Sequence, residues 1–162
     1  MKTIDINCDM GESYGAWTMG ADAEVMPHIS SANVACGFHG GDPATIRKTV
    51  RLAVDHGVAI GAHPSFPDRE HFGRREMQLS AEDLHACIVA QVRSLADVTA
   101  AAGARLRHVK PHGALYNMAA RDEPLAEAVV AAVHGVDPSL AIFGLAGSAL
   151  VKAASRGSIA NE

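Results

Sequence analysis

Cysteine is scarce in this chain: Cys8, Cys36 and Cys87 are the only three in 162 residues. They are odd in number and show no C-x-x-C spacing, which excludes an internal disulfide framework and fits a reducing cytoplasm. Basic charge is not in excess, with 14 Lys and Arg against 18 Asp and Glu and a net charge of −4 at pH 7. Without a basic block the chain lacks the footprint of a nucleic-acid binder or of a protein drawn to a membrane surface. Long apolar runs are missing too, since the stretch Ala128 to Val133 falls far short of the roughly 18 residues a transmembrane helix needs. Met1 to Asp9 carries acidic and polar residues where a signal peptide needs a continuous apolar segment. No G-x-x-x-x-G-K-[ST] occurs, and no G-x-G-x-x-G follows a predicted strand, so any nucleotide contact needs another loop design. H-E-x-x-H and paired-cysteine metal spacings are equally absent. Small molecules and other proteins are the partner classes left.

What is present is an ordinary globular composition, 48% apolar and 20% charged, in a length that suits one domain. The organising stretch is Val58 to Asp68, an apolar run with β-branched residues that ends at His63 and then meets Pro64 and Pro67. It reads as a buried strand opening into a rigid loop. The same grammar recurs. Thr3–Cys8 predicts a first strand, with Asp9 and Glu12 beyond its end. Ser31–Cys36 predicts a second, followed by a glycine-rich loop around His39. Leu106–Lys110 predicts a fourth, running into a loop from His112 to Asn117, and Leu140–Phe143 a fifth. Helical patterns separate them: Asp42 caps a helix starting at Pro43, Ser80 starts one with Leu84, Ile88, Val92 and Leu95 on one side, and Asp122 starts another. Alternating strands and helices predict an α/β fold with parallel strands and right-handed crossovers. The last helix is expected to stop at Gly157, with Ser158 to Glu162 beginning a further strand. The sheet is then either open or part of a larger barrel.

Loops at the C-terminal ends of parallel strands converge on one mouth. That expectation gathers Asp9, Glu12, His39, His63, Asp68, Lys110 and His112. Each alone has a plain structural reading, because a strand-end aspartate caps turns and a lone histidine is more often a satisfied core residue. Four successive strand ends carrying such groups favour a site. Lys110 leaves an apolar strand, where it either meets an anion or pairs with Asp9 or Glu12. Tyr116 and Asn117 either orient a ligand or close their loop. Arg69, Arg74 and Arg75 could fork onto an anion, although for at least two of them a solvated surface is the simpler role. Asp9, His39 and His63 together would suit zinc or another transition metal. Cys8 and Cys36 read as small buried residues.

Four segments, Asp5–Glu12, Ser31–Asp42, Gly61–Arg69 and Val109–Asn117, with Gly144–Ser148 as a fifth, closely resemble the LamB/YcsF-like family to which prokaryotic 5-oxoprolinase A subunits belong. The resemblance implies a seven-stranded β/α barrel of the deacetylase type, one domain over residues 1–162 that lacks its last strands. Relatives continue into a Val-Phe-Ala-Asp-Arg strand and a later His-Gly-Asp segment. It also implies a cytoplasmic hydrolase component that opens 5-oxo-L-proline to L-glutamate, with ATP as co-substrate and subunits B and C as partners. Self-association into a homo-oligomer and a divalent metal stay open. On this reading Asp9 or His63 is the base toward water, Lys110 meets the developing oxygen charge or phosphate, and His112 or His39 protonates the ring nitrogen. Asn7, Glu12, His39, Asp68, Tyr116 and Asn117 are the expected substrate contacts. The rival readings are a metal-dependent amide hydrolase and a non-catalytic, substrate-presenting subunit.

Overall fold

A computed structural model describes residues 4–159. Five parallel strands, β1 (Asn7–Met10), β2 (Ser31–Ala35), β3 (Ala59–His63), β4 (Leu106–Val109) and β5 (Ala141–Ile142), form one sheet in the order β1-β2-β3-β4-β5. Neighbours in the sheet are neighbours in the chain. That is the order of a β/α barrel wall, not of a doubly wound sheet, where the order reverses. The crossovers carry α1 (Asp22–Val25) with a 3₁₀ turn at Met26–His28, then α2 (Pro43–Asp55) and α3 (Ala81–Ala101). A pair, α4 (Gly113–Arg121) and α5 (Glu123–His134), joins β4 to β5, and α6 (Ala149–Ile159) follows. No helix among the described residues is long and apolar enough to cross a membrane.

The helices start where their caps say they should. The Asp42 carboxylate accepts from the Ala44 and Thr45 amides, Ser80 accepts from Asp83 and Asp122 from Leu125, each satisfying amides that a first turn leaves free. The expected inner face of α3 is buried, and it also includes Gln91 and Thr99. Gln91 has a job there: its amide accepts from the Ser65 N–H at 3.0 Å and donates to the Ser65 carbonyl at 2.8 Å. One side chain thus pins the loop that leaves β3.

Strand alternation then divides the sheet. Met10, Val34, Ala62 and Val109 lie in register across four strands and are all buried in the helix-facing core, whereas Asp9, Asn33, Gly61 and His108 form the adjacent row. Successive residues of a strand point to opposite faces, so this row projects away from the core helices. A cavity of about 640 Å³ opens at the other end of the strands, among Gly57, Val58, Ala59, Arg105 and Arg107, away from the histidines.

Three expectations change. β1 begins at Asn7 and contains Asp9, so that carboxylate stands inside the strand and not beyond its end; Thr3 lies outside the described residues. The segment after His112 is helical and not a loop, because Ala114, Leu115 and Ala119 bury an apolar stripe that Tyr116 and Asn117 do not interrupt. The final helix runs through Gly157 to Ile159 instead of yielding to a strand, since one glycine costs only about 1 kcal/mol in a helix. Ala160 to Glu162 fall outside the described residues. The described residues supply five strands, all parallel and in one sheet.

A test of the sheet follows from Gly61. A Cβ there would overlap the His108 ring, so Gly61→Ala should lower the stability measured by urea unfolding by about 2–3 kcal/mol or more. Combining it with His108→Ala should cost less than the sum of the two single changes, because the ring that clashes is gone.

Candidate active site

The site grows out of the polar row. Asn33, fully buried, donates from its amide nitrogen to Asn7 Oδ1 at 2.8 Å and to Asp9 Oδ1 at 2.9 Å. Its carbonyl oxygen accepts from His108 Nε2 at 2.8 Å. His108 crosses above Gly61 to reach it and stacks on Phe143, with centroids 4.1 Å apart. Every polar atom of the Asn33 side chain is matched, so the amide cannot flip and Asp9 is held at a fixed height.

Above that row the strands end in charge. Lys110, just past β4, donates from Nζ to both Asp9 oxygens at 2.7 and 3.0 Å. The ammonium lies 5.8 Å from the Tyr116 ring centre. His63, the last residue of β3, is fully buried. Its Nδ1 donates to the Lys110 carbonyl at 2.6 Å, while Nε2 lies 3.3 Å from Asp9 Oδ2.

Two loops bring in the remaining groups. The turn after β2 carries His39 and is closed by Gly37 N–H to the Gly40 carbonyl at 3.0 Å and Gly41 N–H to the Glu12 carbonyl at 3.1 Å. Arg69 fastens it by donating to the Gly37 and Gly41 carbonyls while stacking over Tyr14. Gly41 sits at φ +78° against the Gly11 carbonyl, a place only glycine fills without strain. The second loop, after β3, folds around Asp68, which accepts from His71 Nδ1 at 2.9 Å and lies 3.5 Å from the Arg75 guanidinium. It presents Phe72, held at φ +55°. In that conformation the Phe72 carbonyl accepts from His112 Nε2 at 2.8 Å and the ring packs edge-on against both His39 and His112.

His39 and His112 stack in parallel with centroids 3.8 Å apart, and His112 Nδ1 lies 3.0 Å from His63 Nε2. Glu12 Oε1 is 3.3 Å from His39 Nε2 and 3.8 Å from His112 Nδ1. Burial, reinforced by neighbouring rings, pushes His39 and His112 down to about 3, so both are neutral at neutral pH. Burial also raises Glu12 above the usual carboxylate range. Burial acts to raise Asp9 as well, but the His63 ring and the Lys110 ammonium overcome it and hold that carboxyl well below its ordinary value. Two carboxyls pushed in opposite directions beside buried imidazoles are what proton-transfer chemistry requires.

The structure therefore brings together Asp9, Glu12, His39, His63, Lys110 and His112, with Tyr116 at the edge. Asn7 belongs to the row below them. Asp68 is spent on its own loop and has none of its hydrogen bonds with the cluster, and Asn117 is exposed on α4. Arg74 covers the Phe72 ring. The three residues expected to suit a metal are not the set that converges: Glu12, His39, His63 and His112 offer ligand atoms all within 4.8 Å of one another, while Asp9 is taken up by Lys110 and Asn33. Burial lifts the Cys36 thiol to about 12, in keeping with a small core residue. Asn33, His108, Gly61 and Phe72 escaped the sequence reading. The i, i+2 spacing of polar residues inside otherwise apolar strands, Asn7 with Asp9, Ser31 with Asn33 and His108 with Lys110, was the signal that could have found the first two.

Likeness to known proteins is close. The LamB/YcsF family model matches residues 4–161. A protein from Bordetella pertussis (strain Tohama I), named as the A subunit of 5-oxoprolinase, is 61% identical over 151 residues, 93% of this chain and 60% of that protein. One of the same name from Geobacillus kaustophilus (strain HTA426) is 56% identical over 153 residues, 94% of this chain and 59% of that protein. The crystal structure of a lactam utilization protein from Thermus thermophilus superposes with a TM-score of 0.94 at 50% identity, covering 97% of this chain and 64% of that one. The chain spans about three fifths of the length of the curated relatives it matches.

His108 makes the row testable by pH. Burial, with Asp5 opposing it and Lys110 adding to it, lowers this imidazole to about 4. An unfolded histidine titrates near 6.5, so below that pH the unfolded chain binds more protons than the folded one. Stability should therefore fall as pH drops from about 6.5 toward 4, by about 2–3 kcal/mol for this group. His108→Gln should flatten that dependence in urea unfolding measured at pH 7, 6, 5 and 4.

Proposed function

This chain belongs to the LamB/YcsF family, and from that membership we propose that it forms part of an ATP-dependent 5-oxoprolinase A subunit, which works with B and C subunits to open 5-oxo-L-proline to L-glutamate. On this proposal the five parallel strands are part of a seven-stranded β/α barrel. The three free cysteines support placing the protein in the cytoplasm.

The observation that carries the reading is the Asp9–Lys110 pair set beside His63 at the C-terminal ends of β1, β3 and β4. A five-membered lactam is a stabilised amide whose carbonyl resists water. Phosphoryl transfer from ATP to the lactam oxygen turns it into a good electrophile and places negative charge next to the carbon that reacts. Lys110 is the cation available to that charge. Its stem leaves a buried strand, its head reaches the mouth, and it already rests on a carboxylate at the spacing an oxyanion or phosphate oxygen would take. Asp9, kept anionic by the same contact, is a weak base and serves as the anchor that aims Lys110. The proton transfers, off the attacking water and onto the ring nitrogen as the C–N bond breaks, fall to the cluster of Glu12, His39, His63 and His112. Tyr116 bounds the mouth on the Lys110 side.

The assay is ATP-dependent glutamate release by the complex of the full-length protein with its B and C partners. Lys110→Ala should lower turnover by at least about a hundredfold, and a loss smaller than about threefold removes Lys110 from the chemistry. Glutamate release that is the same whether or not this protein is present would leave it a substrate-presenting component.

A further inference from the structure

We infer that Glu12, His39, His63 and His112 bind one divalent transition metal ion, with zinc the best match, in a four-coordinate site of three imidazoles and a carboxylate.

Backbone carbonyls orient two of the rings. The Lys110 carbonyl can only accept, so His63 Nδ1 is spent on it and Nε2 is the ring nitrogen turned into the mouth. The Phe72 carbonyl fixes His112 the other way, with the proton on Nε2 and a lone pair on Nδ1. His63 Nε2 and His112 Nδ1 face each other at 3.0 Å. Glu12 Oε1, 3.8 Å from His112 Nδ1, brings a carboxylate oxygen to the same space, and His39 adds a third ring, so that one ligand atom from each of the four side chains lies within 4.8 Å of the others. Ring nitrogens and a carboxylate oxygen converging on one point describe a cation site.

Size agrees with that reading. A tetrahedron with zinc–ligand bonds of about 2.0–2.1 Å has edges of roughly 3.3–3.4 Å. The separations of 3.0, 3.3 and 3.8 Å between His63 and His112, His39 and Glu12, and His112 and Glu12 bracket that length. Imidazole and carboxylate donors suit zinc, and two of the rings have the outer hydrogen bond to a carbonyl that orients metal-binding histidines. His39 is the exception, and usefully so. It lies parallel to His112, so one of the two rings has to turn before both can point lone pairs at a common ion. The His39 Nδ1 is buried with no hydrogen-bond partner among the described residues, and its Nε2 meets only Glu12, itself a member of the set. His39 is therefore the ring that no backbone carbonyl holds, although it is packed among His63, Phe72 and His112, whereas His112 and His63 are tied to carbonyls.

This site rests on the proposed function and deepens it: four protein ligands leave no place for a water, so an ion held there would fix these side chains beside Lys110 and occupy the lone pairs that the proton transfers use. Metal binding is tested on the chain alone, without substrate, ATP or partners, so failure of the lactam assay and failure of metal binding are separate results. Chain stripped with chelator and dialysed should take up one Co²⁺ per molecule with the visible absorption of a tetrahedral site, and Zn²⁺ should displace it. Saturating Zn²⁺ at about a hundred times its dissociation constant should raise the thermal midpoint by about 5–10 °C. Glu12→Gln and His112→Ala should each weaken uptake by about a hundredfold or more, the upper end of what even outer partners of a metal site contribute. Glu12→Gln is nearly isosteric and preserves the fold if His112→Ala does not. Asp9→Asn should leave one ion per chain. The inference is overturned if binding is substoichiometric, if Glu12→Gln binds as the wild type does, or if Asp9→Asn abolishes uptake; in the first case a proton on His63, shared with Asp9 and His112, occupies the place assigned to the ion.

Discussion

The carboxylate of Asp9 ties the structure together. It receives Lys110 from β4 at 2.7 Å, Asn33 from β2 at 2.9 Å and faces His63 from β3 at 3.3 Å, so residues up to 101 positions apart meet on one side chain. The arrangement works because the carboxylate is rooted within β1. A side chain on a loop carries the loop's freedom, whereas one on a paired strand inherits the rigidity of the ladder. Asn33 then sets its height, and His108 sets Asn33. Lys110 is the most exposed of the three contacts and the one able to move, which fits a group that trades one anion for another.

The sheet has to tolerate a polar face to carry this, and the way it does so explains the composition of its strands. In register with Asp9 and Asn33 stand Gly61 and His108. Without a side chain at Gly61, the His108 ring lies across β3 and reaches a partner two strands away. The Asn33 amide and the His108 Nε2 find their hydrogen bonds in this way, which removes the penalty of about 1–3 kcal/mol that an orphan group would bring. The apolar row beside it, Met10, Val34, Ala62 and Val109, anchors the same strands to the helices. Hydrophobic burial and polar placement are thus the two faces of one alternation and do not compete.

Much of this was legible in the sequence. The strand–loop–helix rhythm, the caps at Asp42, Ser80 and Asp122 and the gathering of His39, His63, Lys110 and His112 at one end follow from local pattern, since turn and cap chemistry act over a few residues. What was hidden depended on distances along the chain. No spacing rule connects Asn33 to His108, because their meeting depends on sheet register and on the gap at Gly61. The helical state of Gly113–Arg121 was masked by the glycine at its start and by Tyr116 and Asn117 over a short span, where tertiary packing of Ala114 and Leu115 outweighs propensity. That Glu12 and not Asp9 lies beside all three rings was hidden for a similar reason: both follow the expected first strand in sequence, and only the turn at Gly11, with φ +70°, sends Glu12 over to the histidines.

That division between the two carboxyls is the deepest consequence of the fold. Asp9 and Glu12 are close neighbours in the chain, yet one is driven down by a cation and a ring and the other is driven up by burial. Had both remained on the strand they would have shared Lys110 and repelled each other. The turn separates them: the strand carboxylate is held charged against Lys110, and the loop carboxylate joins three buried rings, two of which face each other through ring nitrogens 3.0 Å apart. A mouth built this way holds a fixed positive head beside a pocket of converging acceptors, and any substrate that develops negative charge on oxygen while exchanging protons at a neighbouring atom finds both needs met within one side chain's reach.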